Sequence, residues 1–223
     1  MLIHSQRSRY GGRARVLLAC LRRRSKNIKT GDQIQAFILA SGLHPARASE
    51  LGRDRTVCAD CGLRRVLAAA GAVVCYLGVT GGMRSVGAAW KAHRGARVEW
   101  PKSDALAGRS LRLGAYGDPG VVASRVWRRL VAMARNWTGF THLWRTRPDL
   151  KDLCMASTTS PAEYHEAVAA GWRSYRVRQH GEPLMPNEIA CPYPRTQCAR
   201  CHLCNGSTGP TDRRKNIATY AKG

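Results

Sequence analysis

Ser110-Leu111-Arg112-Leu113-Gly114-Ala115-Tyr116, followed at once by Gly117-Asp118-Pro119-Gly120, carries the clearest local pattern in the chain. The first part alternates in polarity, with the period of a half-buried strand. The Gly-Asp-Pro-Gly run breaks that strand. Beyond it, Val122, Val126, Leu130, Val131 and Ala134 recur at helical spacing, which predicts a helix over 122–135. Strand, turn and helix in this order make half of a parallel β–α–β unit.

The pattern continues downstream. Phe140 to Leu143 and Leu153-Cys154-Met155-Ala156-Ser157 read as strands. Ser160-Pro161-Ala162-Glu163 opens a helix, with a Ser cap, Pro in the first position and Glu in the third. Gly171 ends it. Trp172 to Val177 alternates again. The fold class expected is α/β, either a partial (β/α) barrel or a small parallel sheet with helices, plus cysteine-rich metal-binding loops. Upstream, Gln33 to Ala40 reads as a strand or a short helix. His44-Pro45-Ala46 starts a helix that runs through Leu51, and Val86 to His93 forms another. Mixed composition begins at Gly31-Asp32, so 31–223 reads as a single α/β domain.

Charge sets the N-terminal segment apart. The first 29 residues hold no Asp or Glu but nine Arg and Lys, so 1–30 reads as a basic, flexible extension. It is either a phosphate-touching arm through Arg22, Arg23, Arg24 and Lys26, a transit peptide, or compositional drift. The whole chain carries a formal charge of +23, which favours nucleic acid, an acidic lipid surface or an acidic protein as partner. Hydrophobic residues make up 44%, enough for a core and against global disorder. The apolar run Val16 to Leu21 is too short to cross a bilayer and ends at Arg22, so no membrane partner and a cytoplasmic, reducing location are expected.

Nine cysteines are many for such a location unless they bind metal, and an odd count does not fit a simple disulfide framework. Cys191-Pro192 with Cys198, Cys201 and Cys204 forms the denser group, within a loop at 186–209. Four thiolates can hold a 4Fe–4S cluster or close a tetrahedral zinc site. Gly206 and Gly209 would let backbone approach the sulfurs, and His202 reads as a neighbour rather than a ligand. Cys58, Cys61 and Cys75 form a second, three-ligand group that would borrow Cys154 or a His, or leave a position open. Tyr116, Gly117, Asp118 and Pro119 end a strand of a parallel sheet, where ligands bind. Asp118 either takes a ligand's hydrogen bonds or caps the following helix. Trp137 to Arg145 is aromatic and polar, either a packed strand or a stacking surface for a base, and His142 within it is a base, a ligand or structural.

At these residues the chain resembles a group of phage and prophage proteins of unassigned activity that look radical-SAM-like. The resemblance runs from Asn27-Ile28-Lys29-Thr30-Gly31 to Cys204 and includes Cys58-x-x-Cys61, Cys75-Tyr76, Arg112 to Pro119, Trp137 to His142, Cys154-Met155-Ala156-Ser157, Gly171-Trp172-Arg173 and Cys191-Pro192. It implies a truncated (β/α) barrel with a 4Fe–4S cluster on Cys58, Cys61 and Cys75. It also implies S-adenosylmethionine held at Gly117-Asp118-Pro119, and an unknown substrate, nucleic acid among the candidates. The Cys-x-x-x-Cys-x-x-Cys loop usual in radical SAM enzymes is absent. The alternative expectation is a non-catalytic, zinc-stabilised basic protein that binds nucleic acid or a host protein.

Overall fold

Burial on one face or on both builds the strands of this protein, which a computed structural model describes over residues 1–25, 27–64, 75 and 82–220. Among the described residues they are β1 (Leu2–Arg7), β2 (Arg13–Ala19), β3 (Ile34–Ala40), β4 (Ser110–Tyr116), β5 (Asn136–Thr141), β6 (Met155–Thr158), β7 (Ser174–Arg178), β8 (Glu188–Ala190) and β9 (Asn216–Tyr220). They form one sheet in the order β1-β2-β3-β4-β5-β6-β7-β9-β8. β1, β2 and β3 are antiparallel neighbours, and every pairing from β3 onward is parallel. The helices are α1 (Pro45–Glu50), α2 (Arg55–Cys58), α3 (Gly82–Ala92), α4 (Ser124–Val131), α5 (Pro161–Ala169) and α6 (Cys198–Cys201). The α/β expectation therefore holds, as a mostly parallel sheet with helices.

The 1–30 segment is not a flexible extension. Its two strands extend the sheet, with Ile3, Ala14, Val16, Leu17 and Leu18 in the core. Exposed or half-buried Arg13 and Arg15 alternate with buried Ala14 and Val16, so the basic residues are the outer face of a strand.

β4 forms where its alternation placed it, with Leu111 and Leu113 fully buried. The helix after it is shorter than the 122–135 expected. Pro119–Val121 is a 3-10 turn and Val122 is extended, so α4 starts at Ser124. A Cβ on Gly114 (φ +60°) would stand 2.5 Å from Pro119 Cδ, so only glycine lets this turn fold back on the strand. β5 starts earlier than expected, because Asn136 through Gly139 pair with Ser110 through Leu113.

β8 and β9 are parallel neighbours, and a parallel pair needs a long crossover, usually a helix. Here the crossover is the cysteine-rich segment 191–215, whose only helix is the four-residue α6. Beside it, Arg176 is fully buried and makes a two-pronged pair with the equally buried Glu188, at 3.0 and 2.9 Å. Glu182 completes this group at 2.9 Å, which is the role of the Gly181-Glu182-Pro183 turn. Among the described residues no helix is long and apolar enough to cross a membrane.

Candidate functional site

The upstream cysteines sit on a clamped turn. Cys58 ends α2, Ala59 leaves it at φ +53°, and the Cys61 amide donates to the Cys58 carbonyl at 3.2 Å. Arg64, 5% exposed, locks this knuckle through Asp54 at 2.7 Å and the Ala59 carbonyl at 3.2 Å. The Cys75 amide donates to the Leu63 carbonyl at 2.8 Å, which brings the third cysteine to the same turn. Burial pushes the Cys58 thiol well up, and the charges of Asp54, Cys61 and Cys75 push it further. The three thiols thus lie in one another's field.

The end of β4 docks on this knuckle, since the Asp118 amide donates to the Val57 carbonyl at 2.7 Å. The Asp118 carboxylate accepts from Gly120 N (2.7 Å), Thr141 Oγ1 (2.6 Å) and His142 N (2.7 Å). It is 6% exposed, and Tyr116 is 5% exposed. Pro119 is buried as well, and Gly117 is half-buried, lying against Ile38 and Val57. These four residues do stand at the C-terminal end of a parallel strand, but they are packed and hydrogen-bonded internally. The turn caps the following helical turn and positions His142.

His142 is what the turn positions. Its Nδ1 lies 3.7 Å from Asp118 Oδ2, while Nε2 is buried with no hydrogen-bond partner among the described residues. Burial alone would lower its pKa, but Asp118 and the neighbouring Cys61 thiol outweigh it and raise it well above the usual value. A buried ring nitrogen with no hydrogen-bond partner among the described residues, on a ring next to the Cys61 thiol, is free to take a hydrogen-bond acceptor or, once deprotonated, an ion. The other candidate, Cys154, is fully buried core against Gly139.

The second group lies at the other end of the strands. The Cys191 amide donates to Ala218 O at 2.7 Å and the Cys198 amide to Lys29 O at 2.9 Å. The Cys204 carbonyl accepts from Gly139 N at 2.9 Å. Burial pushes the Cys204 thiol up, and then Cys198, Cys191 and Cys201 add to it. Cys198 is also raised by burial, against the pull of Arg112 and Lys29. Buried Arg173 pins the crossover by donating to Leu203 O (2.8 Å), Asn205 O (2.9 Å) and Lys215 O (2.8 Å). Gly206 packs closely on the backbone of Asp152 and Leu153, and a Cβ on Gly209 would meet open space. Nε2 of His202 lies 3.0 Å from Asn136 Nδ2, and its buried Nδ1 has no hydrogen-bond partner among the described residues.

As the side chains are placed, no three His, Cys, Asp or Glu among the described residues stand in an arrangement that holds an ion. None of the nine cysteines forms a disulfide. The donor chemistry nonetheless fits soft, thiolate-bound metal at both groups.

Arg22, Arg23 and Arg24 line a cavity of about 1150 Å³, and Lys26 lies outside the described residues. So does most of the apolar 63–74 stretch. Arg97 and Arg112, which the sequence did not single out for binding, line the same cavity. No protein-family model, no curated protein and no solved structure matches the chain.

Proposed function

We propose that this chain is a metal-binding α/β protein with two thiolate sites, one at each end of its parallel strands. The observation that carries this is Cys204, half-buried in the field of Cys191, Cys198 and Cys201. Four half-buried thiols in one loop are a poor core and a good ligand set. The quartet would hold a 4Fe–4S cluster, which supplies one-electron chemistry when bound. Zinc is the alternative occupant. Arg112 and Lys29 would offset the negative charge of a thiolate cluster, and Arg173 holds its backbone.

The upstream group would bind through Cys58, Cys61 and Cys75, with His142 as fourth ligand. A ligating histidine is commonly fixed by a carboxylate on its other nitrogen, and Asp118 stands there. This is a nitrogen–sulfur set of zinc type. Because Asp118 is engaged by His142, Thr141 and Gly120, S-adenosylmethionine at this turn is not part of the proposal. The basic surface directs the protein toward nucleic acid.

Anaerobic purification with a visible spectrum, and with iron, sulfide and zinc analysis, tests this reading. The expected result is a coloured protein whose absorption is lost in Cys198→Ser and in Cys204→Ser. A colourless protein with zinc at the quartet would overturn the iron–sulfur assignment.

A further inference from the structure

The cavity of about 1150 Å³ lies between α3 and the face of β2, β3 and β4. It exceeds the usual size of a pocket for one small molecule, roughly 300–1,000 Å³. Its lining divides by chemistry. Leu18, Phe37 and Val86 give it a buried apolar floor. Arg22, Arg23, Arg24, Arg97 and, from β4, Arg112 also line it. Glu99 is the only acid among its described lining residues. Arginine forks facing an apolar, aromatic floor suit a ligand with phosphate on its edge and a flat, weakly polar body.

The walls are built rather than loose. Arg109 donates to Cys20 O at 2.8 Å, Leu21 O at 2.9 Å and Asp32 O at 2.8 Å, which fixes the backbone leading into the three arginines. Arg15 donates to Arg94 O at 3.0 Å and Ala96 O at 2.9 Å, which fixes the segment carrying Arg97. Binding would therefore order little backbone. Arg112 lines the cavity and also acts on the Cys198 thiol, so the cavity reaches toward the cysteine quartet.

We propose that this cavity binds phosphorylated nucleosides, held by Arg22, Arg23, Arg24 and Arg97 at phosphate with the base on the Phe37 floor. It stands independently of the metal sites. The shared chemistry comes either from a free nucleotide or from a single strand, and the size of the cavity favours more than one nucleotide.

The test is fluorescence anisotropy with a labelled single-stranded oligonucleotide, on the full chain, at several salt concentrations. Competitors are a nucleoside monophosphate, an unlabelled strand and inorganic phosphate. Arg23→Glu combined with Arg97→Glu is expected to weaken binding at least tenfold and to flatten the salt dependence. Each arginine lost removes about 0.7 from the log–log slope for a single strand. Arg125→Glu, an exposed charge on α4 outside the cavity, controls for the chain's overall charge. It is expected to leave binding within about twofold. Competition by the monophosphate at concentrations near those of the strand assigns the site to free nucleotide. Competition by the strand alone assigns it to single-stranded nucleic acid. Equal loss from Arg125→Glu, or phosphate competing as well as the nucleotide, overturns the proposal. So does unchanged binding in the double variant with its melting curve intact.

Discussion

Asp118 does several things at once, and His142 shows what they are for. The carboxylate receives the Gly120, Thr141 and His142 donors, and Nε2 of His142, whose ring neighbours Cys61, has no hydrogen-bond partner among the described residues. His142→Ala is therefore expected to empty the upstream site of metal while the quartet keeps its own. Asp118→Asn is expected to weaken upstream affinity by about 10- to 100-fold. Element analysis of each variant checks both, and an unchanged zinc content in His142→Ala would remove the histidine from the ligand set. Gly206 is a second decisive residue, because a Cβ there would fall on the backbone of Asp152 and Leu153. Gly206→Ala is expected to cost about 1–3 kcal/mol through overpacking and to loosen metal at the quartet. A thermal melt with metal analysis reads it.

Within single elements, the sequence was readable where one local rule acted alone. β4 shows plain alternation, and α5 carries its cap, proline and acid in register, with Ser160 Oγ accepting from Glu163 N at 3.2 Å. β1 and β2 were hidden because their arginines look like a charge run, although Arg13 and Arg15 alternate with buried residues. β8 is only three residues long, and β9 is fixed by pairing with β7 and β8, which no local pattern reveals. The cysteine sets were legible from spacing. The link from His142 to Cys61 was not, because β5 and α2 meet only through the turn at Asp118. The crossover between β8 and β9 carries its own pH dependence. Asp212, 4% exposed, accepts from Thr208 N and from Arg214, and this pairing holds its pKa well below the usual carboxylate value. A depressed folded pKa stabilises above the unfolded value of about 3.9, and the gain is lost as pH falls toward the folded value. Asp212→Asn is expected to cost about 2 kcal/mol near neutral pH and to flatten the stability curve below about pH 4. Denaturant melts at pH 7 and pH 3 check this, and an equal loss at both would contradict it.

Across the molecule, a parallel sheet with an antiparallel flank places one thiol group at each end of its strands. The basic cavity lies on the β2–β3–β4 side, and Arg112 connects it to the quartet. The crossover at 191–215, long and nearly devoid of helix, is held by Arg173, Arg214 and the cysteine backbone. Connections of that length without secondary structure are usually functional. Metal bound there would tie β8 and β9 into the sheet, as a helix does in other parallel folds. The most direct measurement is metal stoichiometry on anaerobically purified protein, compared across the full chain, a Cys198→Ser/Cys204→Ser variant and a Cys58→Ser/Cys61→Ser variant. The account predicts two occupied sites in the full chain, with each double variant losing one and keeping the other. A folded, metal-free full chain, or metal content unchanged by both variants, would contradict it.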